Sequence, residues 1–129
     1  MSAMNQDDAR MLSPLALAYV GDSVHDLFVR AREAGSGRSV ANLHRDAVRK
    51  VCCVAQSEAL SRIESTLNEE ESRIVRRGRN CHAHHAAPRG APPAAYARAT
   101  GLEALLGYLY LSGQDERLTA ILNALDAQS

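Results

Sequence analysis

The chain has 129 residues, a length typical of one domain; 46% of them are hydrophobic and only 4% are aromatic. Lys and Arg together number 15, as do Asp and Glu, so the formal net charge at pH 7 is zero. This composition excludes a disordered chain and a protein that binds nucleic acid through an overall basic coat. It predicts a core built from aliphatic side chains.

The sequence shows no sign of a membrane span or of a disulfide scaffold. No apolar run approaches the roughly 18 residues that a transmembrane helix needs, and the N-terminus does not resemble a signal peptide. The three cysteines are odd in number, and Cys52 and Cys53 are adjacent. We therefore expect a cytoplasmic protein with reduced thiols.

Apolar residues recur at helical spacing through most of the chain, which predicts a single all-α domain. Residues 1–11 lack this pattern and are expected to be frayed. The first helix should begin at Ser13-Pro14, since serine is a favourable N-cap and proline fits the first helical position, and should end at the Gly-Ser-Gly of residues 35–37. Its apolar stripe consists of Leu17, Val20, Val24, Leu27, Phe28 and Ala31.

Four further helical stretches are expected after residue 37. The first runs from about Val40 into the sixties, and the second follows Asn68, a favourable cap in front of three glutamates, and stops at Gly78. Residues 78–93 contain three prolines and two glycines and should form a loop. Leucines at helical spacing then predict a helix that ends at Gly113 and a last helix over residues 118–125.

Asp22 and Glu103 are the candidate catalytic and metal-binding residues. Asp22 lies opposite the apolar stripe of the first helix and follows Gly21, while Glu103 is embedded in an apolar helix where an unpaired carboxylate would be costly to bury. Two carboxylates from separate helices, each beside a glycine, could hold Mg²⁺ with water and phosphate oxygens as its other ligands. The alternatives are a solvated acid at Asp22 and an arginine partner for Glu103.

The charge distribution is uneven although the total is balanced. Residues 72–100 contain six arginines, three histidines and no acidic residue, whereas the flanking segments are acidic. This arrangement predicts a local site for an anionic ligand, with a generally arginine-rich composition as the alternative. Within the segment, the Cys81-His82-Ala83-His84-His85 run could bind zinc, but it lacks a second ligand pair, and the histidines could instead donate to a nucleic acid.

Two stretches resemble the signature helices of the ribonuclease III family. Residues 17–24, Leu-Ala-Tyr-Val-Gly-Asp-Ser-Val, are similar to the helix in which a Gly-Asp pair follows an apolar residue. Residues 102–111, Leu-Glu-Ala-Leu-Leu-Gly-Tyr-Leu-Tyr-Leu, resemble the second acidic helix of that family. The intervening Arg76-Arg77-Gly78-Arg79-Asn80, the short length and the lack of a double-stranded-RNA-binding domain point to the Mini-ribonuclease III branch, with a catalytic domain over residues 12–127.

This resemblance implies an all-α endonuclease fold that acts as a homodimer. The two active sites would lie along one valley and cut both strands of double-stranded RNA, leaving 5′-phosphate and 3′-hydroxyl ends with a short 3′ overhang. The implied cofactor is Mg²⁺, with Mn²⁺ as a substitute. The implied role is maturation of 23S ribosomal RNA precursors, with a ribosomal protein as a possible accessory partner.

Residue by residue, Asp22 and Glu103 match the metal-binding catalytic acids of the family. Ala18 and Thr100 stand where the full-length enzymes have two further acids, a departure shared by the Mini branch. Asp26, one turn beyond Asp22, is a candidate to assist without binding the metal directly. The candidate RNA contacts are Arg76, Arg77, Arg79, Asn80, Arg89 and Arg98, and Arg45, Arg49 and Lys50 either extend this track or form a solvated helix face.

Two other functional classes remain open on the sequence alone. A non-catalytic RNA-binding module could use the same fold, although the presence of both Asp22 and Glu103 argues against it. A helical protein–protein module would make the arginine-rich segment incidental. Metal-dependent cleavage of duplex RNA separates the enzyme from both, and RNA binding separates the two alternatives.

Overall fold

The computed structural model describes residues 4–37, 39–43, 52–81 and 89–126. Within these ranges no strand occurs, which confirms the all-α prediction. The helices are α1 (Gln6–Arg10), α2 (Pro14–Ala34), α3 (Cys53–Ile63), α4 (Glu69–Asn80), α5 (Pro93–Leu111) and α6 (Asp115–Asp126), with a 3-10 turn at Glu64–Thr66 and a helical stretch over residues 40–43. No helix in the described ranges is both long and apolar enough to cross a lipid bilayer.

Helix α5 is the centre of the bundle. Residues 99–102 and 104–109 are all buried, so this helix contacts other elements on every side and Glu103 alone in that run keeps contact with solvent. Helices α2, α3 and α4 pack around α5, and α6 lies against α3 and α5. The core is aliphatic, as the composition predicts; Tyr108 is its one fully buried aromatic side chain among the described residues.

Helices α2 and α5 approach each other closely where both carry glycine. A Cβ atom added to Gly21 would lie 1.7 Å from the carbonyl oxygen of Glu103, and one added to Gly107 would lie 1.9 Å from the carbonyl oxygen of Leu17. Real Cβ atoms do not reach such distances, so this contact requires glycine on both helices. The glycines beside the two acids are therefore explained by helix packing.

Helix α4 begins as predicted and ends later than predicted. The Asn68 side chain accepts a hydrogen bond from the Glu71 backbone N–H, and Glu71 accepts one from the Asn68 N–H in return. The predicted stop at Gly78 is wrong, because this glycine packs against α5: an added Cβ would lie 2.8 Å from the Cα of Gly101. The predicted loop over residues 78–93 is accordingly wrong at both ends, because residues 78–80 belong to α4 and Pro93 is the first residue of α5.

Three other local predictions need correction. Residues 4–11 are not frayed: Ala9 is fully buried and the Met4 N–H donates to the carbonyl oxygen of Leu111 at 2.6 Å. The helical region after Val40 is interrupted, since Cys52 has an extended backbone in front of α3. Leu27, assigned to the buried stripe of α2, is 70% exposed, because the neighbours of α2 cover only part of its apolar surface.

Candidate active site

The structure brings the two candidate acids together. Asp22 on α2 and Glu103 on α5 are 81 residues apart in sequence, yet their side chains share a hydrogen bond. The α2–α5 crossing explains this contact, because Gly21 precedes Asp22 and its backbone lies against the carbonyl group of Glu103. Asp22 is exposed and Glu103 is half-buried, so the pair opens to solvent from one side.

The environment of Glu103 strongly favours its protonated form. Burial raises the pKa of Glu103 to about 8, and the hydrogen bond and negative charge of Asp22 act in the same direction. A hydrogen bond from Gln56 opposes the rise by stabilising the ionised form. At neutral pH, and without a cation, the two carboxyl groups therefore carry less than two full negative charges.

This donor set suits a divalent cation of the magnesium type. Two adjacent carboxyl groups present hard oxygen ligands, and a cation held by them would offset the repulsion that adds to the effect of burial on the pKa of Glu103. Mg²⁺ commonly needs only one or two protein carboxylates because it keeps waters and takes substrate oxygens. No cluster of three or more His, Cys, Asp or Glu side chains suited to a metal is present in the described part of the chain.

A buried polar pair lies behind Glu103. Gln56 on α3 is 1% exposed, and its Nε2 atom lies 3.3 Å from Nδ1 of His25 on α2. Because an amide N–H can only donate, Nδ1 of His25 is the acceptor and its ring proton sits on Nε2. Burial lowers the pKa of His25, against the opposing charges of Asp22, Asp26 and Asp126, and this keeps the ring neutral at pH 7.

Sequence reasoning missed this pair. The sequence predicts Asp22 on the side of α2 opposite its apolar stripe, and His25, three residues further on, shares that predicted solvent-facing side; Gln56 belongs to no motif. A signal was present nonetheless, since Gln56 falls on the apolar stripe of α3, four residues before Leu60 and seven before Ile63. A polar residue at a stripe position must find a hydrogen-bond partner in the core, and here the partners are His25 and Glu103.

Asp26 is engaged elsewhere. Both of its carboxylate oxygens lie 2.9 Å from Nε of Arg30, one turn further along α2. This ion pair is largely exposed and gives Asp26 a partner on its own helix. These contacts do not support its predicted assisting role at the acid pair, which stays a prediction.

The predicted RNA-contacting arginines divide into two groups. Arg76, Arg79 and Arg98 line one groove between α4, α5 and the 3-10 turn, together with Glu64, Leu67, Ser72 and Val75. In that groove Arg98 donates to Ser57 and Ser61 of α3 and forms an ion pair with Glu64. Arg77 is instead directed at the N-terminal segment, where it donates to the carbonyl oxygens of Arg10 and Leu12 at 2.9 and 3.2 Å.

Among the other predicted contacts, Asn80 and Arg89 are exposed at the two described ends of the α4–α5 connection. Arg45, Arg49 and Lys50 lie outside the described residues, as do His82, His84 and His85. Of the predicted Cys/His cluster only Cys81 is described; its thiol donates to the carbonyl oxygen of Gly78, and burial raises its pKa. The zinc alternative is therefore untested.

Comparison with known proteins identifies the fold and its lineage. The sequence matches the ribonuclease III domain over residues 15–114, a range that contains both α2 and α5. The chain belongs to the ribonuclease III family. Similar family members include the Mini-ribonuclease 3 of Symbiobacterium thermophilum, 51% identical over 88% of this chain and 87% of that protein, and that of a Thermoanaerobacter species, 45% identical over 92% and 84%.

A more distant member, the Mini-ribonuclease 3 of Synechocystis, is 40% identical over 98% of this chain and 90% of its own length. A crystal structure of a protein from Fusobacterium nucleatum superposes with a TM-score of 0.82 at 32% identity, covering 90% of this chain and 93% of that one. Each of these matches covers more than four fifths of both aligned chains. They place the chain in the Mini-ribonuclease III branch and confirm the resemblance found in residues 17–24 and 102–111.

The raised pKa of Glu103 predicts a specific pH dependence of stability. Because the folded-state pKa is about 8 and the ordinary value is 4.5, the folded protein holds a proton that the unfolded chain has lost within this range. The carboxyl group should therefore lower the free energy of unfolding progressively as pH rises from about 4.5 to about 8. We expect a loss of roughly 1–3 kcal/mol, less than the full shift implies because the pair remains in contact with solvent.

The measurement is denaturant unfolding in the presence of a chelator, for the wild type and for Glu103→Gln. Subtracting the free energy of unfolding of one protein from that of the other at each pH isolates the effect of Glu103. The lowered pKa of His25, which costs stability at low pH, acts in both proteins. The glutamine variant should become the more stable protein as pH rises. Parallel curves across the whole range would contradict the raised pKa.

Proposed function

We propose that the protein is a divalent-metal-dependent endoribonuclease that cleaves double-stranded RNA, with Asp22 and Glu103 as its catalytic acids. The observation that supports this most strongly is the contact of these two carboxyl groups across the glycine crossing of α2 and α5. A non-catalytic RNA-binding module would have no use for a half-buried acid pair that destabilises the fold at neutral pH.

In the proposed reaction a water molecule attacks the phosphorus of a backbone phosphodiester and the P–O3′ bond breaks. The 3′ oxygen leaves as a hydroxyl group after taking up a proton, and the phosphate remains on the 5′ side of the next nucleotide. Asp22 and Glu103 would hold Mg²⁺ or Mn²⁺, which supplies positive charge against the anionic phosphodiester. Glu103 must then be ionised, so the proton that it holds in the metal-free pair is released when the cation binds.

The groove of Arg76, Arg79 and Arg98 would bind the RNA backbone. A-form RNA is recognised mainly through its phosphates and 2′-hydroxyl groups, and guanidinium groups contact phosphates without selecting a base. Arg98 and Glu103 both belong to α5, five residues apart, so the groove and the acid pair share one helix. Arg77 and Arg98 both have donors engaged within the chain, Arg77 by backbone carbonyl groups and Arg98 by Ser57, Ser61 and Glu64. Arg76 and Arg79 would therefore make the phosphate contacts, and Arg98 would add positive charge to the groove.

The proposed active form is a homodimer. Four large apolar side chains are exposed on helix α2 and just before it, namely Met11, Leu15, Tyr19 and Leu27. Exposed apolar residues concentrated on the helix that carries Asp22 favour a subunit contact there. Two copies of the site would then cut the two strands of one duplex and leave short 3′ overhangs.

The proposed biological substrate is the precursor of 23S ribosomal RNA, cleaved near its termini in the cytoplasm, with a ribosomal protein as a possible partner. This assignment follows the family resemblance. It is tested by incubating the protein with precursor duplexes that have paired 23S termini and with unrelated duplexes of equal length. Preferred cleavage of the precursor would support it.

The enzymatic proposal is tested with a labelled RNA duplex and the same RNA as single strands. The wild type should cut only the duplex, only with Mg²⁺ or Mn²⁺, and should leave 5′-phosphate ends. Asp22→Asn, assayed beside it, should bind the duplex without cutting. Binding without metal-dependent cleavage by the wild type would favour the non-catalytic module, and absence of both activities would favour the protein–protein module.

Replacing a groove arginine should weaken RNA binding in a salt-dependent way. Each of Arg76→Gln and Arg79→Gln is expected to reduce affinity by about 1 kcal/mol, or roughly fivefold, because one phosphate contact is lost. The slope of log affinity against log salt should fall by about one. Binding is measured in chelator by gel shift, so that no cleavage occurs.

Arg73→Gln is the matched control for this experiment. Arg73 lies on the same helix, but it pairs with Glu70 at 2.7 Å and does not line the groove. Its replacement should leave affinity and salt slope unchanged. An equal effect at all three positions would assign the binding to net charge and not to the groove.

A further inference from the structure

Gln56 connects three helices at the acid pair. The residue belongs to α3, its side chain is 1% exposed, and its amide lies 3.3 Å from Nδ1 of His25 on α2. The same side chain makes a hydrogen bond to Glu103 on α5. An amide nitrogen carries two hydrogens, so one Gln56 can donate to the neutral ring of His25 and to the carboxylate of Glu103 together.

The direction of the second hydrogen bond matters for the carboxyl group. An amide N–H can only donate, so this hydrogen bond places a proton donor against the carboxyl group of Glu103 on the side away from solvent. A donor fixed at this place orients the carboxyl group, as hydrogen bonds to ligating carboxylates commonly do. His25 fixes the amide from the other side, so the donor is already oriented before any ligand arrives.

We propose that Gln56 is a positioning residue of this enzyme: held by His25, its amide group orients the Glu103 carboxylate for divalent-cation binding next to Asp22. The inference rests on the proposed function, since it assigns Gln56 a role at the same acid pair. Gln56 need not touch RNA or cation, and acts through Glu103. Hydrogen bonds of this kind to ligating carboxylates typically change metal affinity by about 10- to 100-fold.

A purely structural role would predict a different outcome. If Gln56 only filled space between α2, α3 and α5, a side chain of similar length and volume should preserve cation binding once the protein folds. Gln56→Met keeps the unbranched chain and removes the donor. Gln56→Asn keeps the amide but withdraws it by one methylene, so it should also lose the contact.

The test measures Mn²⁺ affinity of the RNA-free protein by electron paramagnetic resonance at neutral pH. Both variants should bind Mn²⁺ about 10- to 100-fold more weakly than the wild type. Single-turnover cleavage of a duplex should require correspondingly more Mg²⁺ and should recover when Mg²⁺ is raised. RNA affinity in chelator should not change. Thermal unfolding identifies any variant that fails to fold, and the second variant then carries the test.

Gln114→Met serves as the control, because this substitution makes the same chemical change away from the site. Gln114 donates to Ser112 in the α5–α6 connection. Its Mn²⁺ affinity should equal that of the wild type. Folded Gln56→Met or Gln56→Asn protein with wild-type Mn²⁺ affinity would overturn the positioning role while leaving the proposed function intact. A wild-type protein that neither binds Mn²⁺ nor cleaves duplex RNA would overturn both.

Discussion

Glu103→Gln is expected to reduce duplex cleavage by about 10³-fold or more while the protein stays folded. Metal-assisted stabilisation of developing charge contributes several kcal/mol, and each 1.36 kcal/mol corresponds to about a tenfold change in rate. The amide group of a glutamine at position 103 cannot ionise, so the variant lacks the negative charge that would hold the cation. The same substitution removes a half-buried group that resists ionisation, so the inactive variant should be at least as stable as the wild type at neutral pH.

The experiment compares single-turnover rates and unfolding curves for the wild type, Glu103→Gln and Asp22→Asn, with Glu116→Gln as the control. Glu116 is an exposed acid in the first turn of α6, so its replacement should alter neither quantity. Both active-site variants should still bind duplex RNA in chelator. A Glu103→Gln protein that cuts like the wild type would refute its assignment as a catalytic acid.

Gly107→Ala is expected to cost about 4 kcal/mol or more of folding stability, a large part of the 5–15 kcal/mol typical of a domain. The added Cβ would lie 1.9 Å from the carbonyl oxygen of Leu17 and 3.0 Å from the Gly21 nitrogen. Both neighbours are backbone atoms of α2, so relief requires the whole helix to move and not merely a side chain to rotate. Any protein that does fold should have Asp22 and Glu103 displaced and cleavage strongly reduced.

Gly35→Ala is the matched control, since a Cβ there would meet only the Arg32 carbonyl oxygen at an ordinary 3.6 Å and the backbone φ is −78°. It should be neutral or stabilising by about 0.4–1 kcal/mol, because alanine reduces the entropy of the unfolded chain. Chemical denaturation provides both values. A Gly107→Ala protein as stable as the wild type would show that α2 and α5 are not locked at this crossing.

Each acid could be singled out from its local sequence, whereas their pairing was implied by the resemblance to the ribonuclease III family. Gly21-Asp22 and Glu103 with Gly107 are short patterns on two apolar helices, and the α2–α5 packing that joins them follows from the same glycines. The start of α4 was equally predictable, since the cap at Asn68 depends on neighbours in sequence. Local rules alone were sufficient where the interacting groups lie within one turn of each other, as they do at this cap.

The remaining features depend on tertiary contacts that no local pattern contains. The sequence predicts a helix end at Gly78 because glycine disfavours helix, but packing against Gly101 outweighs that preference. Arg77 was grouped with Arg76 and Arg79 by charge, yet helical rotation directs it to the carbonyl groups of the N-terminal segment. Residues that share a sequence motif thus need not share a surface.

The central claim is that Asp22 and Glu103 together form one divalent-cation site. It is tested most directly by counting Mn²⁺ bound per chain at neutral pH for the wild type, Asp22→Asn and Glu103→Gln, without RNA. Our account predicts that the wild type binds Mn²⁺ with release of protons and that either substitution abolishes this binding. Retention of wild-type Mn²⁺ binding by either variant would contradict it.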